Sequence, residues 1–297
     1  MPGLALAVTV VLWASAFAAI REAVGALGWE HLSLLRLALA ALPLVVLAAL
    51  RRAPLPRRED LPLLVVVALS GMTAYQLLLN AGEVTVDAAT ASLLVNMSPI
   101  FTALLAIALL GERLSRIGWA GVAMGFAGAS VIALGSGGGM TLSGGALLVL
   151  GAAVAQAIFF VSQKALLDRG RDPLAVTAAA MTLGALAALP LAPGVGGSLA
   201  DAPAEALAAV AFLAFGASAL GFFTWAHACA RIDVSAAASA LYAVPPVAAL
   251  AGWVLLGEVP SGTTVAGGLV ALVGVALTAR SRMPARPARR RATAIAG

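Results

Sequence analysis

Apolar stretches that follow one another along this 297-residue chain constrain its fold more than any other feature. Hydrophobic residues make up 62% of the chain and charged residues 10%, so no soluble domain fits between the stretches. A stretch of about 20 residues is enough for a helix to cross the hydrocarbon layer. The predicted spans are about 4–22, 31–50, 61–81, 86–110, 116–135, 143–163, 173–192, 204–227, 234–256 and 263–280.

Basic residues predict the orientation of these spans. Ten spans put both termini on one side, and the arginine-rich segment 280–291 assigns that side to the cytoplasm. The cytoplasmic loops and this segment then hold 16 of the 18 basic residues. Segment 281–297 is predicted to be a disordered tail that either anchors the last helix or recruits anionic lipid headgroups.

Composition also suggests the source membrane. Arginine greatly outnumbers lysine, and alanine, glycine, leucine and valine are very frequent, which suggests a GC-rich bacterial genome. We therefore predict a multi-pass protein of the bacterial cytoplasmic (inner) membrane with both termini in the cytoplasm.

A pattern between residues 87 and 130 recurs 146 residues later. The matched pairs are Asp87 and Asp233, Pro99 and Pro245, Glu112 and Glu258, Ser115 and Ser261, Gly121 and Gly267, and Gly128 and Gly274. Matched Asp, Pro and Gly-Glu indicate a duplication. The predicted fold is an all-α integral membrane protein whose ten transmembrane helices form two inverted five-helix repeats, 1–138 and 139–280. Duplicated halves in a membrane chain are typical of transporters.

Motifs in both halves carry a resemblance to the EamA branch of the drug/metabolite transporter superfamily. They are Trp13 with Phe17, Leu35-Arg36-Leu37 with Ala40, Ser98-Pro99 with Leu110-Gly111-Glu112, and Tyr242-Ala243-Val244-Pro245 with Leu256-Gly257-Glu258. The resemblance covers residues 3–280. It implies a central cavity and alternating-access secondary transport of small organic metabolites, such as amino acids, in the direction of efflux. Export of toxic or amphipathic drug-like compounds is the alternative.

Prolines near the middle of two spans predict helix kinks. Pro99 and the pair Pro245-Pro246 lack the amide hydrogen and clash with the carbonyl four residues back. The carbonyls that are freed need another partner inside hydrocarbon. The kinks therefore either open a binding site between the halves or only shape helix packing.

Polar residues gather one turn before each proline. Ser92 and Asn96 precede Pro99, whereas Ser239 and Tyr242 precede Pro245. Asn96 and Tyr242 are equivalent positions of the two repeats, so we expect them to face each other across the cavity. Their role is either substrate contact or helix-to-helix hydrogen bonding.

Other spans supply further cavity candidates. Trp13 and Phe17 share one helix face, as do Gln156 and Phe160. Their alternative role is helix packing. Tyr75 and Asn80 in the third span and Trp225 in the eighth are weaker candidates.

Charged residues inside a bilayer are costly and mark function. Arg36 lies inside the second span, where it either extends its charge to the interface or holds a substrate carboxylate. Glu112 and Glu258 end their helices and are predicted to be structural, capping a neighbouring helix or pairing with an arginine. No Asp or Glu lies near the middle of a span, so proton coupling, exchange and facilitated diffusion all remain open.

Several chemistries lack their residues. The chain has one cysteine, two histidines and no phosphate-binding loop, HExxH or GxSxG motif. We therefore expect no cofactor, metal or catalytic residue. We also expect no nucleic-acid partner, because the positive charge is concentrated in the tail.

The expected partners are a small-molecule substrate and the lipid bilayer. A monomer suffices because the halves are fused, and a dimer is not excluded. A membrane enzyme or a non-transporting scaffold is a remote alternative.

Overall fold

The computed structural model describes residues 2–110, 113–135, 143–232, 237, 240–280 and 282–283. Apart from one two-residue ladder, the regular structure of these residues is helical. The helices are α1 (Pro2–Leu50), α2 (Arg58–Gly82), α3 (Ala88–Val95), α4 (Ser98–Leu110), α5 (Arg116–Gly135), α6 (Gly144–Asp168), α7 (Pro173–Ala188), α8 (Val195–Asp201), α9 (Ala204–Cys229), α10 (Val244–Leu256) and α11 (Gly262–Arg280).

Six helical stretches of the described residues are long and apolar enough to cross a membrane. They are Pro2–Leu50, Arg58–Gly82, Ala88–Leu105, Gly144–Asp168, Pro173–Leu191 and Ala204–Cys229, and Arg116–Ile132, Leu241–Leu256 and Gly262–Thr278 are shorter apolar helices. Large apolar side chains such as Leu42, Trp253 and Leu255 are exposed on the outside of the bundle, as suits a lipid-facing surface. The chain is thus an all-helical, multi-pass membrane protein.

Gly28 divides α1 into two arms. Its backbone angles are φ 74° and ψ 157°, inside a segment that is otherwise helical from Pro2 to Leu50. A residue without a Cβ adopts a positive φ readily, whereas other residues do not. The predicted span 4–22 lies in the first arm and the predicted span 31–50 in the second. The connection predicted between them, residues 23–30, is helical except at Gly28.

Both proline-containing spans are broken rather than kinked. α3 ends at Val95, residues 96–97 form a turn, and Pro99 is the second residue of α4. In the second half a 3₁₀ turn, Leu241–Ala243, precedes α10, in which Pro245 is again the second residue. A proline in the first turn removes no intrahelical hydrogen bond. The predicted kinks at Pro99, Pro245 and Pro246 thus fall where helices α4 and α10 begin.

Helices α2 and α9 each contain a wide, π-helical segment, Ala68–Ala74 in α2 and Phe212–Leu220 in α9. These helices are the predicted third and eighth spans, so the irregularity occurs at corresponding places of the two halves. Nothing in the apolar pattern predicted it. Such segments insert an extra residue into a helix and change which side chains face inward.

Glycines bring α5 and α11 into close contact. A Cβ added to Gly128 would lie 2.5 Å from the carbonyl oxygen of Gly267, and one added to Gly267 would lie 2.9 Å from that of Gly128. Each helix begins with the same cap: the Ser115 hydroxyl accepts from the Gly118 amide at 3.2 Å, and the Ser261 hydroxyl from the Thr264 amide at 3.1 Å.

A short antiparallel ladder joins the segments at the ends of these two helices. Strand β1 (Arg113–Leu114) pairs with β2 (Arg282–Met283), with Arg113 opposite Met283. Two residues of the predicted disordered tail thus have regular structure. The remainder of 281–297 lies outside the described residues.

Candidate functional site

A buried cavity lies where the two helix breaks meet. Its lining residues are all buried, and they are Trp13, Phe17, Tyr75, Val95, Asn96, Ser98, Gln156, Leu241 and Val244. Val95 to Ser98 span the break between α3 and α4, and Leu241 and Val244 flank the start of α10. Both breaks therefore open onto the same space, which receives side chains from both halves of the chain.

A second cavity adjoins the first at the same aromatic residues. It shares Trp13, Phe17 and Tyr75 with the first cavity, and its other lining residues are Ala16, Ile20, Arg36 and Leu79. Only 3% of Arg36 is exposed, so its guanidinium is one of the few buried cations of the described residues. The two cavities together form a path that is polar at both ends and aromatic in the middle.

A chain of hydrogen bonds holds Arg36 in position. Its Nη1 donates to Asn80 Oδ1 at 2.8 Å, and Asn80 Nδ2 donates to the Ser33 hydroxyl at 2.8 Å. That hydroxyl in turn donates to the Trp29 carbonyl at 2.6 Å. Nε of Arg36 has no hydrogen-bond partner among the described residues. A fixed guanidinium with a spare donor is suited to binding a carboxylate.

Aromatic rings form the wall of the path. The Trp13 ring centroid lies 5.2 Å from that of Phe222 and 5.5 Å from that of Trp225, and Phe160 lies 4.5 Å from Trp225. Trp13 Nε1 donates to the Ala217 carbonyl at 3.1 Å, which fixes the indole. Phe160 and Trp225 are fully buried behind Trp13 and do not line either cavity.

The structure assigns the polar candidates to different places. Asn96 and Gln156 both line the first cavity, and Asn96 Nδ2 also donates to the Ser92 carbonyl at 2.9 Å. Ser92 is fully buried, and its hydroxyl donates to the Ala89 carbonyl within its own helix at 2.7 Å. Ser92 thus supports the helix end and does not line the cavity.

The repeat register predicts that Tyr242 faces Asn96 across the cavity, and the described hydrogen bond of Tyr242 leads to α11 instead. The Tyr242 hydroxyl donates to the Val275 carbonyl of α11 at 3.2 Å, and Tyr242 is absent from the described lining of both cavities. Its neighbours Leu241 and Val244 line the cavity instead. Ser239 and Glu112 lie outside the described residues.

Some lining residues were missed by sequence reasoning. Leu79 and Ile20 line the second cavity, and Phe222 contacts Trp13, Tyr75 and Phe159. Leu79 and Ile20 are ordinary apolar residues, so no sequence signal separates them from lipid-facing ones. Phe222 lies three residues before Trp225, which puts it on the same helix face, and that spacing could have identified it.

A set of polar contacts lies next to Arg36 of the second cavity. We call it the Glu258 latch, and it is formed by Arg21, Glu83, Val84, Ala88 and Glu258. Arg21 Nε lies 3.0 Å from Glu258 Oε1, and the Ala88 amide donates to Glu258 Oε2 at 3.1 Å. Arg21 Nη1 also donates to the backbone carbonyls of Glu83 and Val84. The carboxylate of Glu258 therefore ties the start of α3 to the first arm of α1.

A second ionic cluster joins other parts of the two halves. Asp60, which is fully buried, contacts Arg169 Nη1 at 3.1 Å and Arg171 Nε at 2.6 Å. Arg171 also lies 2.9 Å from Glu59. The cluster connects the start of α2 to the loop that follows α6. Burial of the Asp60 carboxylate is tolerated because Arg169 donates a hydrogen bond to it and Arg171 forms an ion pair with it.

Comparisons with known proteins identify the family of this chain. The model of the EamA-like transporter family matches residues 1–134 and 143–280. A probable terminal-alkyne amino-acid exporter of Streptantibioticus cattleyicolor is 42% identical over 95% of this chain and 94% of its own length. The uncharacterized transporter YdfC of Bacillus subtilis is 32% identical over 90% of this chain and 87% of its own length.

The fold is also found among solved structures. One crystal structure superposes with a TM-score of 0.64 and 21% identity, over 93% of this chain and 95% of that chain. At this identity the likeness shows the fold alone. The family match covers both halves of the chain, and the breaks in both halves open onto one buried cavity. This chain belongs to the EamA-like transporter family and is a transmembrane transporter of small metabolites.

Proposed function

We propose that the protein exports amino acids or closely related small zwitterions by alternating access, and that Arg36 binds the substrate carboxylate. The observation that carries the proposal is the buried Arg36 guanidinium, which Asn80 orients at the wall of a cavity. The name of the Streptantibioticus relative, a probable amino-acid exporter, supports the same substrate class and direction.

The rest of the cavity suits such a substrate. Trp13, Phe17 and Tyr75 offer rings to an apolar side chain, and the amides of Asn96 and Gln156 offer oxygens to an ammonium group. A buried guanidinium at the cavity wall is suited to a carboxylate, which favours a small zwitterionic metabolite over the amphipathic drug-like alternative.

The proposed topology has ten crossings, in two inverted repeats, 1–138 and 139–280, with both termini in the cytoplasm. Gly28 supports it by dividing α1 into two arms, and a helix break before Pro99 and before Pro245 supports equivalent halves. The Ser115 and Ser261 caps are further equivalents. In this topology the Glu258 latch faces the outside and the Asp60 cluster faces the cytoplasm.

Alternating access requires that each end opens in turn. The Glu258 latch and the Asp60 cluster both hold in this conformation, and the lining of the path between them is buried. We assign the conformation to an occluded state, in which a substrate reaches neither side. Breaking one set of contacts while the other holds would open the cavity to one side of the membrane.

The experiment is transport by the purified protein in liposomes, with L-propargylglycine, a terminal-alkyne amino acid, as the probe. Counterflow of labelled probe is compared for the unchanged protein, Arg36→Ala and Arg36→Lys. A charge-assisted hydrogen bond contributes about 1.5–3 kcal/mol, so we expect Arg36→Ala to raise KM by about tenfold or more. Lysine keeps the charge without the planar fork, so Arg36→Lys should fall in between.

Two controls make the result specific. Arg51→Ala removes an exposed arginine after α1 and should leave transport unchanged. But-3-ynylamine, which is the probe without its carboxylate, should not compete for uptake in the unchanged protein. Equal KM values for the unchanged protein and Arg36→Ala, or competition by the amine as strong as by the amino acid, would refute Arg36 as the carboxylate site.

A further inference from the structure

Glu83 is a buried acid that the transport proposal does not use. It follows the last residue of α2 directly, and none of its surface is exposed. Neither carboxyl oxygen has a hydrogen-bond partner among the described residues, and no ion pair of those residues includes Glu83. An ionised carboxylate in such surroundings is very unfavourable, because its lost hydration is not replaced.

The groups around Glu83 come from several elements. The cations are Arg21 and Arg36, from the two arms of α1, and the acids are Asp87 and Glu258, from the start of α3 and the end of α10. Tyr75 is the titratable neighbour within α2 itself. Helix α6 contributes no charge here, since it meets the preceding residue Gly82 with Gly145 and Val149.

Both arginines direct their bonds elsewhere. Arg21 reaches Glu258 and the backbone carbonyl of Glu83, and Arg36 bonds to Asn80. Asp87 caps α3 through the Thr90 amide at 2.9 Å, and Glu258 accepts from the Ala88 amide. Every other charged group near Glu83 thus has a hydrogen-bond partner, whereas the carboxyl group of Glu83 has none among the described residues.

We propose that Glu83 is a proton-binding site whose occupancy is linked to closure of the Glu258 latch. The Glu83 backbone is part of the latch, because its carbonyl accepts from Arg21, so opening the latch exposes the side chain to water. In the closed conformation the dry carboxyl group holds a proton. In the open conformation water stabilises the carboxylate, and the proton leaves.

Burial is also the main cause that raises the pKa of Glu83 well above that of a free glutamate, against the opposing effect of Arg36 and Arg21. The closed state therefore binds more protons than the open state, and low pH favours closure. This stabilisation of the closed state is lost as pH rises through the raised pKa. Below the ordinary pKa of a glutamate carboxyl group, Glu83 is protonated in both states, so the ratio of open to closed protein no longer depends on pH.

A neutral Glu83 has a consequence for Arg36. An ionised Glu83 would offset the positive field of Arg36, whereas a protonated one leaves that charge directed at the cavity. The proton site itself does not depend on which solute the cavity takes. It supplies a proton-dependent step even though no Asp or Glu of the described residues lies at the middle of a span.

The first test is infrared spectroscopy of the purified, substrate-free protein near neutral pH. A protonated buried carboxyl group has a carbonyl-stretch band that an ionised one lacks. We expect this band in the unchanged protein and in Glu22→Gln, which alters an exposed acid one residue from Arg21, and not in Glu83→Gln. A spectrum without the band, or a band that Glu83→Gln retains, would overturn the proposal and indicate an ionised Glu83.

The second test measures closure directly and needs no substrate. Spin labels are attached at Val84→Cys and Val259→Cys after the single buried cysteine Cys229 is changed to alanine. Val84 belongs to the latch through its backbone carbonyl alone and its side chain is exposed, and Val259 is the exposed neighbour of Glu258. Raising the pH should lengthen the label-to-label distance. Between the two pKa values the ratio of open to closed protein should rise by up to about tenfold per pH unit.

The variants separate the proton effect from a structural one. Glu83→Gln mimics the protonated acid and should stay closed across the same pH range. Glu22→Gln should follow the unchanged protein. Equal pH dependence in the unchanged protein and Glu83→Gln would reject Glu83 as the site, as would a distance that does not change with pH. A failed propargylglycine assay would refute the substrate assignment without changing either readout.

Discussion

Gly121 and Gly274 pack backbone against backbone: a Cβ on Gly121 would lie 2.7 Å from the Gly274 carbonyl oxygen, and one on Gly274 would lie 2.6 Å from that of Gly121. Gly128 and Gly267 are in the same relation. Gly267 lies 146 positions after Gly121, and Gly274 lies 146 positions after Gly128. Gly121 therefore contacts the counterpart of Gly128, and Gly128 contacts the counterpart of Gly121. Such exchanged contacts are expected where two similar helices cross on a twofold axis.

Alanine at this crossing should destabilise the protein. The added methyl group would meet backbone atoms of the other helix, which cannot move aside as a side chain can. Overpacking of this kind costs typically 1–3 kcal/mol. We expect Gly121→Ala and Gly274→Ala each to lower the thermal unfolding temperature in detergent.

Gly25→Ala is the matched control, since a Cβ there has nothing within 4 Å and alanine favours the helix. It should leave the unfolding temperature unchanged or raise it. An unfolding temperature of Gly121→Ala as high as that of Gly25→Ala would contradict the close crossing.

Asn80 should act as a positioning residue for Arg36. Asn80→Asp would place a carboxylate 2.8 Å from the guanidinium, where it competes with a substrate carboxylate, whereas Asn80→Ala only removes the orienting bond. We therefore expect KM for L-propargylglycine to rise more in Asn80→Asp than in Asn80→Ala. Proteoliposome uptake over a range of probe concentrations measures both. The reverse order would argue against carboxylate binding at Arg36.

The two oxygens of Glu258 make separable contributions to the latch. Oε1 pairs with Arg21, and Oε2 accepts from the Ala88 amide. Glutamine removes the charge but keeps an acceptor, so Glu258→Ala should open the latch more than Glu258→Gln. The pair is partly exposed, so we expect a coupling energy between Arg21 and Glu258 of only about 0.2–1 kcal/mol.

Spin labels at Val84→Cys and Val259→Cys measure the fraction of open protein in each variant. A double-mutant cycle that combines Arg21→Ala with Glu258→Gln measures the coupling energy between the two side chains. Equal open fractions in Glu258→Ala and Glu258→Gln would show that the Ala88 contact does not hold the latch.

Asn96 and Tyr242 should differ in what they affect. Asn96 lines the cavity, so Asn96→Ala should raise KM for the probe. The Tyr242 hydroxyl instead donates to the Val275 carbonyl, and losing such a bond costs about 0.5–1.5 kcal/mol of stability. Tyr242→Phe should therefore lower the unfolding temperature and leave KM unchanged. A KM change in Tyr242→Phe comparable to that of Asn96→Ala would restore Tyr242 to the binding site.

The residues of the cavity were predicted from the sequence with uneven success. Trp13, Phe17, Tyr75, Asn96, Gln156 and Arg36 all line it, and each is a polar or aromatic residue inside an apolar span. Phe160 and Trp225 look the same in the sequence but lie one layer behind, and Tyr242 turns towards α11. A polar or aromatic side chain in an apolar span is expected to face the interior of the bundle. Whether it reaches the cavity or packs behind another side chain depends on how each helix is rotated and where it is interrupted.

The apolar spans determine by themselves that this chain is a helical membrane protein, because hydrocarbon leaves a backbone few other ways to satisfy its polar groups. The duplicated motifs likewise indicate the family. Only the tertiary structure decided that Glu258 ties α1 to α3 and that Glu83 is buried without a hydrogen-bond partner among the described residues. The sequence predicted that Glu258 caps a helix or pairs with an arginine, but not which helix or arginine, and nothing in it indicated that Glu83 is buried. Whether water reaches a helix end depends on the neighbouring helices, which are distant in sequence.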